Sequence, residues 1–214
     1  MSVIAVIDYD VGNIKSICNA FEKVGANIIV TRDSGEIFKA DGVVLPGVGA
    51  FAHGMEKLKQ YGLDKTILEV AGSGKPLLGI CLGMQMLFSS SEEFGNTTGL
   101  GIIPGEILKL PLINPAYQKL PHVSWNELSE CGSGSWGKSI LKDVAENENM
   151  YFVHSFFANP EYKKDILSTT VYSGHKFCST VQRNNVYGCQ YHPEKSAIAG
   201  LKIITNFKEI CEVH

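Results

Sequence analysis

Short apolar runs alternate with amphipathic segments of helical period through the first half of the chain. The runs are almost free of polar interruptions: "VIAVID" (3–8), "NIIV" (27–30), "GVVLPG" (42–47) and "KPLLGI" (75–80). One helical segment has Asn13 at its N-cap position and Gly25 at its end, and another covers 53–71 with a break near Gly62. Continuous apolar strands joined by helices predict a parallel sheet covered on both faces.

The second half has proline-rich stretches and short strand-like segments. The strand candidates are "MYFVHSFFA" (150–158), "ILSTTVYSG" (166–174), "KFCSTVQ" (176–182) and "VYGCQYH" (186–192). "RNN" between the last two is typical of a hairpin turn, and "CGSGSWG" (131–137) of a surface loop. A closing helix over 198–210 is predicted to bury Leu201, Ile204 and Phe207. With no repeat or linker, the chain is interpreted as one mixed α/β domain over 1–214.

Composition excludes several classes of function. A net charge of −3 without a Lys/Arg cluster argues against binding of nucleic acid. The opening "MSVIAVIDYD" is interpreted as a strand instead of a signal peptide, and no apolar stretch suggests a membrane span, so we expect a cytoplasmic protein. The six cysteines form no C-x-x-C pair and the sequence has no metal-ligand spacing, so we expect no disulfide framework, metal or cofactor.

Cys81 stands where a buried strand turns into a helix, between Gly79 and Gly83. The pattern G-x-C-x-G is similar to the nucleophile elbow G-x-S-x-G, in which a tight turn raises the side chain above the edge of the sheet. The turn also places the sulfur near a helix N-terminus, which favours the thiolate. From the elbow alone, a nucleophile and an ordinary buried cysteine remain equally open.

A cysteine nucleophile needs a base and a group that orients the base. His192 ends the strand candidate "VYGCQYH" and is followed by Pro193 and Glu194. Side chains alternate along an extended chain, so an extended H-P-E triplet places His192 and Glu194 on one side. Glu194 could then hold the imidazole in one tautomer while the other ring nitrogen faces the sulfur. A capped strand end with a solvated glutamate is the alternative.

Five stretches together resemble the triad glutamine amidotransferases of class I, and in particular the glutaminase subunits of imidazole glycerol phosphate synthases. They cover the chain from end to end: "IDYDVGNIKS", "LPGVGAF", "GICLGMQMLFSSSEEFGNTTGLGI", "PHVSWN" with "YFVHS", and "YHPEKS". The resemblance implies a three-layer α/β fold, with a mostly parallel central sheet, helices on both faces and an antiparallel β extension in the second half. It also implies hydrolysis of glutamine by a Cys-His-Glu triad of Cys81, His192 and Glu194.

The same resemblance implies further roles by position. Backbone N–H groups of Leu82 and of the "PGVG" turn would form the oxyanion hole, the turn contributing Gly47, Val48 and Gly49. Glutamine would be held by four residues: Gln85, Glu93, His154 and Ser155. Gln85 lies one helical turn after Cys81 and therefore on the same helix face.

Ammonia released into water at neutral pH is protonated, so this chemistry needs a sealed route to an acceptor. The resemblance implies a heterodimer with an eightfold β/α barrel cyclase, and Asn13, Trp125 and Lys195 match positions that face this partner. Val123 and Ser124 stand where the family usually has methionine and glycine. A paralogous barrel that serves surface-sugar amidation, a stand-alone cysteine γ-glutamyl hydrolase and a non-catalytic binding subunit remain as alternatives.

Overall fold

The computed structural model describes residues 2–113, 119–131 and 136–213. The strands are β1 (Val3–Ile7), β2 (Asn27–Thr31), β3 (Gly42–Leu45), β4 (Leu77–Ile80), β5 (Phe88–Ser91), β6 (Thr97–Thr98), β7 (Ile103–Lys109), β8 (His122–Glu127), β9 (Ser129–Glu130), β10 (Asn149–His154), β11 (Phe156–Pro160), β12 (Ile166–Tyr172), β13 (His175–Arg183) and β14 (Val186–Cys189). The α-helices are α1 (Ile14–Lys23), α2 (Ser34–Lys39), α3 (Phe51–Gln60), α4 (Leu63–Gly72), α5 (Leu82–Met86) and α6 (Ala197–Val213). Short 3₁₀ turns cover Trp136–Lys138, Lys163–Asp165 and Pro193–Lys195.

The parallel half of the sheet has the order β2-β1-β3-β4-β14. Alternation along β1 sends Ile4 and Val6 into one hydrophobic core and Ala5 and Ile7 into another. Helices α1 and α6 pack in the first core, and α2, α3 and α4 pack in the second. Strands buried on both faces require the continuous apolar composition of the first half, and the predicted three-layer α/β arrangement is confirmed.

The second half of the chain extends this sheet with antiparallel pairs. Strand β14 pairs with β13, β13 pairs with β11 and β12, and β11 pairs with β7. The predicted hairpin is confirmed, since Arg183 and Val186 are opposed across the "RNN" turn. Strands β8 and β10 form a separate antiparallel ribbon. The edge of the sheet is mixed, because β5 runs parallel to β7.

Several local predictions differ from the structure. The helix that begins at Leu82 ends at Met86, and the apolar residues that follow enter β5 instead of extending the helix. The "VYGCQYH" strand ends at Cys189, so His192 lies beyond its end. In the predicted surface loop, residues 132–135 lie outside the described part of the chain, whereas Trp136 is buried and its Nε1 donates to the Leu167 carbonyl at 2.7 Å.

The strand predicted over 150–158 is divided into β10 and β11, which belong to different sheets, whereas other elements agree closely with the expected ones. The break between α3 and α4 falls at Gly62, which has a left-handed φ of 69°. The closing helix is longer than predicted and buries Ile204 and Phe207 fully and Leu201 partly. No helix within the described residues is long and apolar enough to span a membrane.

Candidate active site

Cys81 occupies a strained turn between β4 and α5. Its φ is 54° and its ψ is −111°, values that L-residues rarely adopt. A Cβ on Gly83 would overlap the Leu45 carbonyl oxygen, so only glycine lets α5 pack this close to β3. The Cys81 N–H donates to the Cys189 carbonyl at 2.7 Å, which continues the pairing of β4 with β14 by one residue. The turn therefore places the thiol at the carboxyl edge of the parallel strands.

His192 and Glu194 form a buried pair beside this turn. His192 Nδ1 lies 2.8 Å from Glu194 Oε1, and the two side chains are 2% and 1% exposed. The prediction that the triplet is extended is wrong, since Pro193–Lys195 form a 3₁₀ turn in which Ser196 N–H donates to the Pro193 carbonyl at 3.0 Å. The fixed φ of proline suits the first position of such a turn. The turn still brings Glu194 back onto the imidazole.

The protonation of His192 is set by its two neighbours. Burial alone would lower the pKa of His192, but the side chains of Cys81 and Glu194 raise it to about 10. Its Nε2 is buried and has no hydrogen-bond partner within the described residues. Glu194 therefore holds Nδ1, and Nε2 is left to exchange a proton with a group beside Cys81.

A cavity of about 320 Å³ opens above the thiol. It brings together most of the residues predicted for the site: Val48, Gly49, Cys81, Leu82, Gln85, Glu93, His154, Ser155 and His192. Gly47 and Glu194 lie outside this lining, Glu194 behind His192. Across the described ranges, no group of three or more His, Cys, Asp or Glu side chains is arranged to hold a metal ion.

Two hydrogen bonds hold the segment that is predicted to supply the oxyanion hole. The Leu82 N–H donates to the Gly47 carbonyl at 3.3 Å, and the Tyr9 hydroxyl donates to the Pro46 carbonyl at 2.6 Å. A Cβ on Gly47 would come within 2.6 Å of the Tyr9 hydroxyl oxygen, so this approach also requires glycine. Burial, with a smaller effect of Cys81, raises the pKa of Tyr9, which therefore remains a donor. In this arrangement the Leu82 N–H is already occupied.

Gln85 reaches the cavity from α5, and Glu93 reaches it from the turn after β5. Gln85 Nε2 donates to the Phe156 carbonyl at 2.9 Å and to Gln190 Oε1 at 3.0 Å. Glu93 Oε2 accepts from the Phe51 N–H at 2.6 Å, at the first residue of α3. Both side chains are thus oriented by the protein before any ligand binds.

His154 is the neutral end of a buried histidine pair. Its Nδ1 lies 2.9 Å from the Phe156 carbonyl oxygen, which only accepts, so Nδ1 carries the proton. Its Nε2 lies 2.9 Å from His122 Nδ1. Burial, together with the neighbouring His122, lowers the pKa of His154 to about 3. His122 was not predicted as a site residue, because its role depends on the pairing of β8 with β10, which places it opposite His154.

The residues predicted to face a partner protein are exposed, and two of them share a neighbour. Trp125 is 50% exposed, and its ring lies 5.8 Å from the Tyr151 ring. Lys195 Nζ lies 5.9 Å from the same Tyr151 ring. Asn13 is exposed at the start of α1, where its side chain makes no capping hydrogen bond. Trp125, Tyr151 and Lys195 therefore form a surface group, the aromatic–lysine patch, in which Tyr151 was not predicted.

Comparison with known sequences gives consistent matches. A family model described as "Glutamine amidotransferase class-I" matches residues 5–210. The chain is 45% identical over 213 residues to "Imidazole glycerol phosphate synthase subunit HisH 1" of Legionella pneumophila (strain Lens), covering 98% of this chain and 100% of that protein. It is also 45% identical over 210 residues to "Imidazole glycerol phosphate synthase subunit HisH" of Moorella thermoacetica, covering 98% of this chain and 96% of that protein.

Solved structures match the fold at much lower identity. A chain described as "Crystal structure of glutamine amidotransferase" superposes with a TM-score of 0.73 at 14% identity, covering 98% of each chain. A chain of the PurLQS structure from Thermotoga maritima gives a TM-score of 0.72 at 18% identity, covering 98% of this chain and 99% of that one. These likenesses establish the architecture alone.

Proposed function

This chain belongs to the class I glutamine amidotransferase family and, within it, to the HisH subunits of imidazole glycerol phosphate synthase, and from that membership we propose that it hydrolyses glutamine and passes the ammonia to a cyclase subunit in histidine biosynthesis. The observation that carries the proposal is the enclosed His192–Glu194 pair beside a strained cysteine turn, facing one cavity. Such a constellation suits attack of a sulfur on a carbonyl carbon.

In the proposed reaction the Cys81 proton resides on His192 Nε2 from the start, so that a thiolate faces an imidazolium. The thiolate attacks the side-chain amide carbon of glutamine, and a C–S bond forms while the carbonyl electrons move to oxygen. When the C–N bond breaks, the imidazolium donates its proton to the nitrogen, so that ammonia leaves. His192 then takes a proton from water, which hydrolyses the thioester to glutamate and restores the thiolate–imidazolium pair. Glu194 keeps the imidazole in the required tautomer throughout.

The oxyanion formed in these steps needs N–H donors that are aimed at it. We assign this role to Leu82 and to the segment of Gly47, Val48 and Gly49. The Leu82 N–H is engaged by the Gly47 carbonyl, so the segment must reorient before it can receive an oxyanion. Gly49, with a φ of 100° and no atom within 4 Å of an added Cβ, has the freedom to allow this change.

The wall of the cavity suits the amino-acid end of glutamine. Both N–H groups of Gln85 are used within the protein, so only its Oε1 is left to accept from an ammonium group. Glu93 supplies a carboxylate for the same group. His154 is neutral and engaged at both ring nitrogens, so its side chain is a fixed wall, and we assign binding contacts to the backbone around His154 and Ser155.

We assign the partner to the class of eightfold β/α barrel cyclases, docked over the aromatic–lysine patch and Asn13. Lys195 directly follows Glu194, so a contact at Lys195 reaches the triad through one peptide bond. The ribotide that the cyclase converts would take up the ammonia away from bulk water. The cytoplasmic location stays a prediction.

The test is glutamate release from glutamine by the purified chain, alone and with a histidine-pathway cyclase, with and without its ribotide substrate. We expect release in the mixture that rises with the ribotide. Release that no such cyclase stimulates would move the assignment to another acceptor, such as a surface sugar, and equally high release from the isolated chain would favour a stand-alone hydrolase.

Replacement of the nucleophile separates the two half-reactions. Cys81→Ala should abolish glutamine-dependent synthesis while the complex still uses ammonium salts, because the cyclase does not need the thiol. Cys131→Ala, a change of a half-buried thiol that does not line the cavity, is the matched control and should keep both activities. Glutamine hydrolysis that survives in Cys81→Ala would refute the assigned nucleophile.

A further inference from the structure

Gln190 is a fully buried amide next to the nucleophile that none of the steps above uses. It is 0% exposed and lies between β14 and His192. Its Nε2 is 3.9 Å from Cys81 Sγ, and its Oε1 accepts from Gln85 Nε2 at 3.0 Å. Burial of a polar side chain costs several kcal/mol of folding free energy unless its hydrogen-bonding groups are satisfied, so each hydrogen bond of Gln190 contributes to stability.

The direction of this amide is fixed from a distance by the Phe156 carbonyl. A carbonyl oxygen only accepts, so Gln85 must present its NH₂ group to it, and the 2.9 Å contact is a donation by Gln85. The second donor of the same NH₂ group then meets Gln190, which must present its oxygen. Gln190 therefore turns its own NH₂ group to the sulfur. A flip of either amide would place two acceptors or two donors against each other.

The Phe156 carbonyl oxygen cannot accept a further hydrogen bond, because both of its lone pairs are in use. It accepts from Gln85 Nε2 and, at 2.9 Å, from His154 Nδ1. His154 is locked in this tautomer by His122 on its other nitrogen. The amide chain from Phe156 through Gln85 and Gln190 to Cys81 thus has one consistent polarity, and it ends with a donor at the nucleophile.

We propose that Gln190 is a catalytic residue of the proposed glutaminase reaction, whose side-chain N–H stabilises the Cys81 thiolate, and that Gln85 is a positioning residue acting on the thiol through Gln190. The inference rests on the proposed function. It assigns Gln85 a second task besides contact with glutamine, since the same NH₂ group that orients Gln190 leaves Gln85 Oε1 to the substrate.

The other groups around the sulfur provide little stabilisation of the thiolate besides His192. The Val153 carbonyl lies 3.9 Å from Sγ and accepts from the thiol, which disfavours the thiolate. Of the titratable groups around the site, Tyr9 and His154 are neutral, and the charge of Glu194 is directed at His192. Glu93, which lines the same cavity, accepts from the Phe51 N–H. His192 is the only cation near the thiol among the described residues, and Gln190 adds a dipole to it.

The test measures the thiol directly, by the pH dependence of iodoacetamide alkylation of the Cys81 peptide in the full-length chain, followed by mass spectrometry. Gln190→Met keeps the length of the side chain and removes the donor. We expect the midpoint of alkylation to move up by about one pH unit, in line with loss of a hydrogen bond to a charged group. In the complex with the cyclase, kcat should fall about tenfold with KM for glutamine nearly unchanged.

A double-mutant cycle with Gln85→Met tests the direction of the chain. Gln85→Met should also raise the midpoint, because it releases the Gln190 amide, but it should add nothing in the Gln190→Met background. Gln182→Met, at a glutamine whose Nε2 donates to the Asn184 carbonyl on the exposed side of the β13–β14 turn, is the matched control and should leave the midpoint unchanged. If Gln190→Met does not fold, the alkylation midpoint of Gln85→Met alone tests the inference.

An unchanged midpoint in Gln190→Met or, where that variant does not fold, in Gln85→Met, or additive shifts in the double variant, would overturn the inference. Failure of the proposed function looks different. In that case the wild-type chain shows no cyclase-stimulated release of glutamate, while the alkylation midpoints still shift as expected.

Discussion

Glu194 controls the chemistry of His192 from an enclosed position. The carboxylate is 1% exposed, its Oε1 contacts His192 Nδ1, and its Oε2 has no hydrogen-bond partner in the described part of the chain. An anion with so little solvation strongly favours a cation beside it. Cys81 and Glu194 together raise the pKa of His192 to about 10, so the imidazole stays protonated well above the pH at which a free histidine loses its proton.

Glu194→Gln should lower kcat for glutamine hydrolysis by a factor on the order of 10³ to 10⁴, because the imidazole loses the partner that selects its tautomer. The alkaline limb of the pH–rate profile should also move. The imidazolium is lost as the pH rises through the pKa of His192, about 10 in the wild type, and removal of Glu194 lowers that pKa. The limb is therefore expected at lower pH.

Steady-state rates of the complex between pH 6 and pH 11 measure both effects. Glu56→Gln, at a glutamate on α3 whose side chain is 76% exposed, is the control and should leave rate and profile unchanged. A Glu194→Gln profile with the wild-type alkaline limb would contradict the assigned pairing.

Tyr9 holds the Pro46 carbonyl, directly before the Gly47–Gly49 segment, and Tyr9→Phe removes only its hydroxyl. Loss of the buried 2.6 Å bond to Pro46 leaves that carbonyl unpaired, so we expect the free energy of unfolding to fall by about 1–3 kcal/mol. Urea unfolding followed by circular dichroism measures this cost. Tyr162→Phe, at a tyrosine that is 43% exposed, should change it by less than about 0.5 kcal/mol.

The sequence alone identifies the site residues that are marked by their immediate neighbours in the chain. Cys81 and His192 follow apolar strands, and each is marked by neighbouring glycine or proline. Gln190 and Tyr151 carry no such signal, because their roles arise from contacts with residues far away in the chain, such as Cys81 and Trp125. The tie between Gly47 and Leu82 is also tertiary.

The elements around Cys81 depend on close approach of α5 to β3. Gly83→Ala should place a methyl group against the Leu45 carbonyl oxygen, a backbone atom held in the central sheet. We expect a loss of about 3 kcal/mol in the free energy of unfolding. Urea unfolding followed by far-ultraviolet circular dichroism gives the change.

Gly72→Ala is the matched control for this substitution. Gly72 ends α4, and a Cβ there would meet no atom within 4 Å, so alanine should stabilise the protein by about 0.5–1 kcal/mol. Equal urea midpoints for the two variants would show that α5 can shift away from β3 at little cost.

Helices and strands are predicted correctly from the sequence where they are fully buried, and the prediction fails where burial is partial. Strands β1, β3 and β4 are apolar on both faces, which leaves few alternatives. After Met86 the apolar residues enter a strand, because pairing of β5 with β7 outweighs the local helical period. The 3₁₀ turn at Pro193–Lys195 was mistaken for extended chain, because proline's φ suits both conformations.

As a whole molecule, the isolated chain should hydrolyse glutamine at least about 10² times more slowly than the complex, since an engaged Leu82 N–H cannot stabilise an oxyanion. Single-turnover glutamate release by the chain alone and by the saturated complex measures the ratio. A ratio near one would mean that the Gly47–Gly49 segment reorients without a partner.

The aromatic–lysine patch should govern binding of the partner. Trp125→Ala and Lys195→Ala are each expected to weaken the complex about tenfold or more, since exposed aromatic residues often dominate interfaces. Titration calorimetry with the cyclase measures the loss. Lys208→Ala, which removes a partly exposed ion pair with Glu212 on α6, is the control and should bind as the wild type. Unchanged affinity in both patch variants would place the interface elsewhere.

The overall architecture was predictable because the resemblance and the alternation of strands and helices agree over the whole length. The single domain over 1–214 stays a prediction. The separate β8–β10 ribbon, which carries Trp125 and Tyr151, was not anticipated as a unit, because among the described residues its strands pair only with each other, and they leave one face exposed.

Strand β14 is the last strand to leave the ribosome, yet it lies at the centre of the sheet, between β4 and β13. Gln190 and Cys81 are 109 residues apart in the chain, and His192 follows Gln190 closely. A nascent chain that still lacks β14 has the thiol but neither the imidazole nor the amide that activate it. A product truncated before β14 would therefore lack the groups that the proposed mechanism needs to release ammonia from glutamine.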